Sequence, residues 1–274
     1  MSEPIRVLYV NSEVYPYTPE SDVSIVGRYL PQAVQESGRE VRSFMPRYGC
    51  INERRNQLHE VIRLSGMNII VNDKVRPLII KVASISAARM QVYFIDNDEL
   101  FRQKTIAKDD KGNYFADSDE RVIFFARGVL ETVKKFRWKP DIVHCQGWVS
   151  QILPLYLKKA YNDDPIFSDS KVVLSLYNDA PGIVFSSDMK KKALFGNVVE
   201  DDLAALEKTD GTNLARLAIQ YSDGVILGDS EVDKALVKFA QKRKLPILES
   251  SKIGLTETEY IKEYNGFYNQ ILGI

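Results

Sequence analysis

A chain of 274 residues, 45% of them hydrophobic, is long enough for one large domain or two small ones with a proper core. Lysine plus arginine equals aspartate plus glutamate at 37 each, so the net charge is zero and the basic excess that a nucleic-acid partner requires is absent. No apolar run reaches the roughly 18 residues of a membrane span.

Ile5 to Val10 is a short, mostly apolar run that suits the centre of a parallel sheet. A polar loop, Asn11 to Ser21, follows with Pro16 and Pro19, which forbid continuous strand or helix. Asp22 is the expected N-cap of a helix in which Val23, Val26, Leu30, Ala33 and Val34 recur at helical spacing. Pro31 lies inside that pattern, and Gly38 is its stop signal. Glu40 to Met45 is a second strand, completing the opening of a doubly wound sheet. Residues 59–95 hold short strand-like runs broken by Gly66 and Asn72-Asp73-Lys74, the pattern of a hairpin extending the sheet. Asp96 to Ser118 reads as a long surface loop.

From Ser118 an α/β rhythm returns, after an imperfect capping box at Ser118–Arg121. Val122 to Phe136 is helical, Asp141 to Cys145 a strand, Trp148 to Tyr161 a helix and Lys171 to Leu176 a strand. Leu214 to Tyr221 is helical, Val225 to Leu227 a strand and Glu231 to Ala240 a helix. A last helix over Glu257 to Leu272 packs back on the body. The expected fold is a single doubly wound, Rossmann-like α/β domain over residues 1–241, with a tail and helix over 242–274.

Neither G-x-G-x-x-G, G-x-x-x-x-G-K-[ST] nor G-x-S-x-G occurs, so a dinucleotide site, a P-loop and a nucleophile elbow lack support. The two histidines, His59 and His144, leave no material for a His-rich metal site. No metal and no cofactor is expected. Cys50 and Cys145 make no disulfide framework, and Met-Ser-Glu-Pro lacks the regions of a signal peptide, so a reduced, cytoplasmic protein is expected.

Ligands of open parallel sheets bind at the carboxyl ends of the strands. That rule selects Asn11, Ser12, Glu13 and Tyr15; Asp96 and Asn97; His144, Gln146 and Trp148; and Tyr177, Asn178 and Asp179. The candidates for a sugar-binding cleft are Ser12, Glu13, Tyr15, Asp96, Asn97, His144, Gln146, Trp148, Tyr177 and Asn178. Hydroxyl, amide, carboxylate and aromatic groups together suit a sugar, with its hydroxyls and C–H face. Plainer readings stand beside these: a hydrogen-bonded core histidine for His144, helix–sheet packing for Trp148, a backbone-binding carboxylate for Glu13.

Several segments resemble bacterial glycogen/starch synthases, the family-5 glycosyltransferases. Trp138 to Lys159 is similar to the family's WKPDVVHxHDWH segment, and Val7 to Pro16 and Tyr93 to Phe101 resemble two more. Asp119 to Thr132 is close to NDERFxFFSRAxLE, and Asn213 to Leu236 resembles a further stretch. The likeness covers roughly residues 5–241 and implies the glucan-side half of a two-domain GT-B glycosyltransferase that uses ADP-glucose. In that family most donor contacts come from a second domain, and residues 242–274 are too few to form one.

The departures from the pattern fall on polar positions. Pro19, Glu20, Ser21 and Asp22 take the places of the family's Lys-Thr-Gly-Gly, which faces the nucleotide diphosphate. Gln146, Gly147 and Val149 replace the His, Asp and His of HDWH, and Tyr177 replaces the His of THN. The resemblance thus implies no catalytic residue and a catalytically impaired domain that binds a sugar, a glucan such as a maltooligosaccharide, or a partner. A former interdomain face would then serve a homodimer or another protein. The alternatives are an active glycosyltransferase that needs a separate donor-binding subunit, and a structural protein that kept only the fold.

Overall fold

The computed structural model describes residues 3–102, 104–250 and 258–274. The chain runs β1 (Arg6–Asn11), α1 (Asp22–Glu36), β2 (Glu40–Pro46), β3 (His59–Glu60), β4 (Met67–Val71), β5 (Lys74–Ile85) and β6 (Met90–Asp96). It continues α2 (Ser118–Phe136), β7 (Ile142–Gln146), α3 (Leu153–Lys159), β8 (Lys171–Leu176), α4 (Met189–Ala193), α5 (Gly211–Gln220), β9 (Gly224–Leu227), α6 (Lys234–Lys242), β10 (Ile247–Glu249) and α7 (Thr258–Leu272).

The strands form one sheet in the order β10-β9-β8-β7-β1-β2-β6-β5-β3, with β4 paired to β5. From β10 to β6 every pairing is parallel, and β5 joins β6 antiparallel. The order turns back at β1, so the crevice between β1 and β7 is the switch point of a doubly wound sheet. This is the α/β architecture that the apolar strand runs and intervening helices predict.

Alternate residues of the central strands face opposite layers. Leu8, Val10, Val143 and Cys145 join the larger core under α2, α3 and α5. Val7, Tyr9 and Ile142 join a smaller one with Leu30 and Val34 of α1 and with Tyr260, Tyr264, Phe267 and Tyr268 of α7. Each such aromatic or aliphatic side chain contributes about 1.5–3 kcal/mol by leaving water. The α7 tyrosines recur every fourth residue and so share one helix face. The Tyr260 hydroxyl donates to Tyr264 Oη (2.9 Å), and that of Tyr264 to Ser250 Oγ (3.1 Å).

Several local features depart from the sequence expectations. Ser21, not Asp22, caps α1: its Oγ accepts the Ser24 N–H at 3.1 Å, and Ser24 Oγ accepts the Ser21 N–H at 2.8 Å. α1 continues through Pro31 to Glu36. The segment after Asp96 opens with a π-helical turn, Asp98–Arg102, that buries Leu100 and Phe101. The helix expected from Trp148 is a 3-10 turn, Trp148–Ser150, followed by α3. Pro154 in the first turn of α3, without an N–H, suits a helix start better than a helix interior. The short strand β10, which the sequence pattern does not show, extends the sheet past residue 241. The Asn72-Asp73 turn between β4 and β5 has both residues at positive φ, the hairpin geometry that asparagine and aspartate tolerate.

Candidate functional site

The tip of β1 is largely consumed by internal hydrogen bonds. Asn11 Nδ2 donates to Ser43 Oγ at 2.9 Å. The Ser12 N–H donates to the Gln146 carbonyl at 2.8 Å, and the Tyr48 hydroxyl donates to the Ser12 carbonyl at 2.9 Å. Glu13 accepts from the Ser21 hydroxyl at 3.2 Å, and burial raises its carboxyl above the usual range. Tyr15 is exposed. Glu20 and Asp22, both exposed, put negative charge at the N-terminus of α1.

His144, on β7, points into the layer beneath α7 and not toward the strand tips. Its Nδ1 lies 2.7 Å from Tyr268 Oη and its Nε2 2.7 Å from Ser175 Oγ. Complete burial lowers its pKa to about 3, so the ring is a neutral link in a buried network. Gln146 is buried as well, and its amide donates to the Val23 carbonyl at 2.8 Å. At the tip of β6 the fully buried Asp96 pairs with Lys81 (3.1 Å) and Arg102 (3.0 Å). Asn97 donates to the Pro77 carbonyl at 2.9 Å and accepts the Glu99 and Leu100 N–H groups. The sheet order puts β2, β1 and β7 between β6 and β8, so Asp96 and Asn97 stand apart from the β8 tip.

The cavity at the strand tips lies over β8, against the starts of α5 and α6, and has a volume of about 350 Å³. Of the ten candidates, Trp148, Tyr177 and Asn178 line it. Ser12, Glu13, Tyr15, Asp96, Asn97, His144 and Gln146 do not. Trp148 is 3% exposed, so its ring serves as wall more than platform, with the Arg121 guanidinium 6.0 Å from the ring centroid. Trp148 Nε1 and Tyr177 Oη are buried without a hydrogen-bond partner among the described residues. The Tyr177 ring lies directly on Gly228, where a Cβ would collide with it.

Four carboxylates line this cavity: Asp179, Asp210, Glu231 and Asp233. None of its described lining residues is lysine, arginine or histidine. Asp210 accepts the Asn213 N–H at 2.9 Å to cap α5, and Asp233 accepts the Ala235 N–H at 2.8 Å to cap α6. Burial first, and the nearby Glu13 charge among the lesser causes, push the Asp179 carboxyl up to about 7. The strand-tip rule does not select the contributions of α5 and α6, which enter the cavity from helix starts. The Asp-Gly-Thr-Asn run at 210–213 was a helix-start signal from which the α5 part could have been found. Among the described residues no group of three or more histidine, cysteine, aspartate or glutamate side chains is arranged to hold a metal ion. No helix among them is long and apolar enough to cross a membrane.

A doubly wound, largely parallel sheet with a cavity at its strand tips defines a Rossmann-like α/β domain. The catalytic domain of starch synthase IV from Arabidopsis thaliana, bound to ADP and acarbose, shares this fold. Its TM-score is 0.69 at 16% identity, over 90% of this chain and 51% of that one. The family model of the starch synthase catalytic domain matches residues 6–245. The glycogen synthase of Chlorobium limicola is 41% identical over 221 residues, which is 80% of this chain and 44% of that protein. That of Chlorobium phaeobacteroides is 34% identical over 248 residues, 87% of this chain and 50% of its own length. The chain belongs to the starch synthase catalytic domain family, and it spans about half the length of these curated relatives.

Proposed function

We propose that this chain is a glycogen/starch synthase-type domain that binds a neutral glucan, such as a maltooligosaccharide, in the β8-tip cavity and does not transfer glucose by itself. One observation carries the reading: the cavity is lined by four carboxylates and by no cation among its described residues. Carboxylates and amides accept and donate to sugar hydroxyls, whereas a diphosphate placed among them is repelled. The N-terminus of α1 supports the same view. There a helix could hold phosphate, but Ser21 already caps it and Glu20 and Asp22 flank it. Glucosyl transfer from ADP-glucose needs stabilisation of a leaving diphosphate, commonly the largest catalytic contribution.

Calorimetric titration with maltoheptaose tests the binding half, and ADP release from ADP-glucose with a glycogen primer tests the catalytic half. Saturable binding without turnover is expected. Turnover by the purified chain alone refutes the impairment, and absence of binding refutes the sugar site. A second reading, an active transferase completed by a separate donor-binding polypeptide, is favoured by the match to a catalytic-domain family over residues 6–245. It requires ADP release when a fraction holding that polypeptide is added.

A further inference from the structure

Gly147 has φ 79° and ψ 168°, a backbone region entered almost solely by glycine. A Cβ at this position would collide with the Ser12 hydroxyl and lie 2.7 Å from Asp179 Oδ2. The space of a side chain at 147 is therefore filled from two neighbouring strand tips. Ser12 Oγ reaches in from β1 and accepts the Val149 N–H at 3.1 Å. Asp179 Oδ2 reaches in from β8 and accepts the Trp148 N–H at 2.8 Å. The resembling motif carries an aspartate where this chain has Gly147. A carboxyl is thus present at this turn, delivered by a different strand. The β8 tip that delivers it is itself pinned, since Asp229 Oδ2 accepts the Asn178 N–H at 2.8 Å.

Asp179 also lines the cavity, beside Trp148 and Tyr177. We propose that Asp179 is the ligand-anchoring carboxyl of the cavity, supplied from β8 into the space beside Gly147, and that it accepts hydrogen bonds from the hydroxyls of a neutral saccharide. The proposal rests on the saccharide reading above and adds the residue that selects for it. A carboxylate offers two acceptor oxygens and no donor, and hydrogen bonds to it are stronger than those between neutral groups. In its ionised form, which dominates above about pH 7, the same group also refuses phosphorylated ligands. Burial, which disfavours the bare carboxylate here, leaves it with more to gain from a hydroxyl donor than an exposed one has.

The test is calorimetric titration of maltoheptaose into the parent protein, Asp179→Asn and Glu60→Gln, the last removing an exposed carboxyl on β3 at the far edge of the sheet. Asparagine is isosteric and can still accept the Trp148 N–H. Asp179→Asn is expected to weaken binding about tenfold, the scale of a lost charge-assisted hydrogen bond, while Glu60→Gln leaves it unchanged. In the parent protein, the Asp179 carboxyl 13C resonance should move on adding maltoheptaose, a readout that does not depend on a variant folding. Parent-like affinity in Asp179→Asn, or an unmoved resonance at saturation, overturns this inference and leaves the saccharide reading standing. A parent protein that binds no maltoheptaose overturns both.

Discussion

Replacing Tyr268 by phenylalanine removes one hydroxyl from the buried layer between α7 and the sheet. That oxygen lies 3.0 Å from Tyr9 Oη and 2.7 Å from His144 Nδ1, and all three residues are fully buried. Two hydrogen bonds are lost, each worth about 0.5–1.5 kcal/mol net. The Tyr9 hydroxyl and one imidazole nitrogen are left without partners, at about 1–3 kcal/mol for each buried group. These figures describe overlapping losses, so the expected destabilisation is about 2–4 kcal/mol. Urea unfolding near neutral pH, followed by tryptophan fluorescence, should show a lower midpoint at unchanged slope. Tyr9→Phe alone should cost less. The double variant should cost less than the sum of the two, because no tyrosine hydroxyl is then orphaned in the pair. A Tyr268→Phe protein within about 0.5 kcal/mol of the parent, or strict additivity in the cycle, would refute the claim that this network holds α7 to the sheet.

Burial lowers His144 to about 3, below its ordinary 6.5, so the folded state binds fewer protons than the unfolded chain between these values. Stability from this group is full above about pH 6.5 and falls by about 1.4 kcal/mol per unit as the pH drops toward 3. The His144 ring resonance should stay constant from about pH 8 to 4.5, and a midpoint near the ordinary histidine value would contradict this. Asp179 acts in the opposite sense. Its raised carboxyl holds a proton in the folded state that the unfolded chain has released, so stability declines as pH rises from about 4 to 7. Asp179→Asn should lack that decline, visible as a gain in midpoint over the parent that appears only toward the alkaline end. Gly147→Ala should destabilise by about 1–3 kcal/mol through its forbidden backbone region alone, with more from the collision with Ser12. An unchanged melting temperature would show that this turn rearranges freely.

The parallel strands and their helices were legible because each is long or apolar enough to announce its period, as in Ile5–Val10 and Val122–Phe136. The hairpin turn at Asn72-Asp73 was legible from its residue types. Ser21 was passed over for Asp22 because both residues are good caps and only backbone geometry separates them. β10 is three residues long, too short for periodicity to register. The site was harder still. The strand-tip rule found Trp148, Tyr177, Asn178 and Asp179, but it treats every tip as equivalent. It could not foresee that Tyr48 closes over Ser12, or that Lys81 and Arg102 neutralise Asp96. His144 is one residue away from Cys145, and alternation along β7 puts the two on opposite faces. The exchange between Gly147 and Asp179 joins residues from separate strands, and no local pattern records it.

The bond between Tyr9 and Tyr268 spans 259 residues. At synthesis rates of about 5–20 residues per second, the hydroxyl on the first strand waits roughly 13–50 s for its partner to leave the ribosome. Throughout that interval β1 carries on one face the side chains of Val7 and Tyr9, which Leu30 and Val34 of α1 cover in part and the α7 tyrosines do not yet cover. The face is closed when Tyr260, Tyr264, Phe267 and Tyr268 of α7 dock on it.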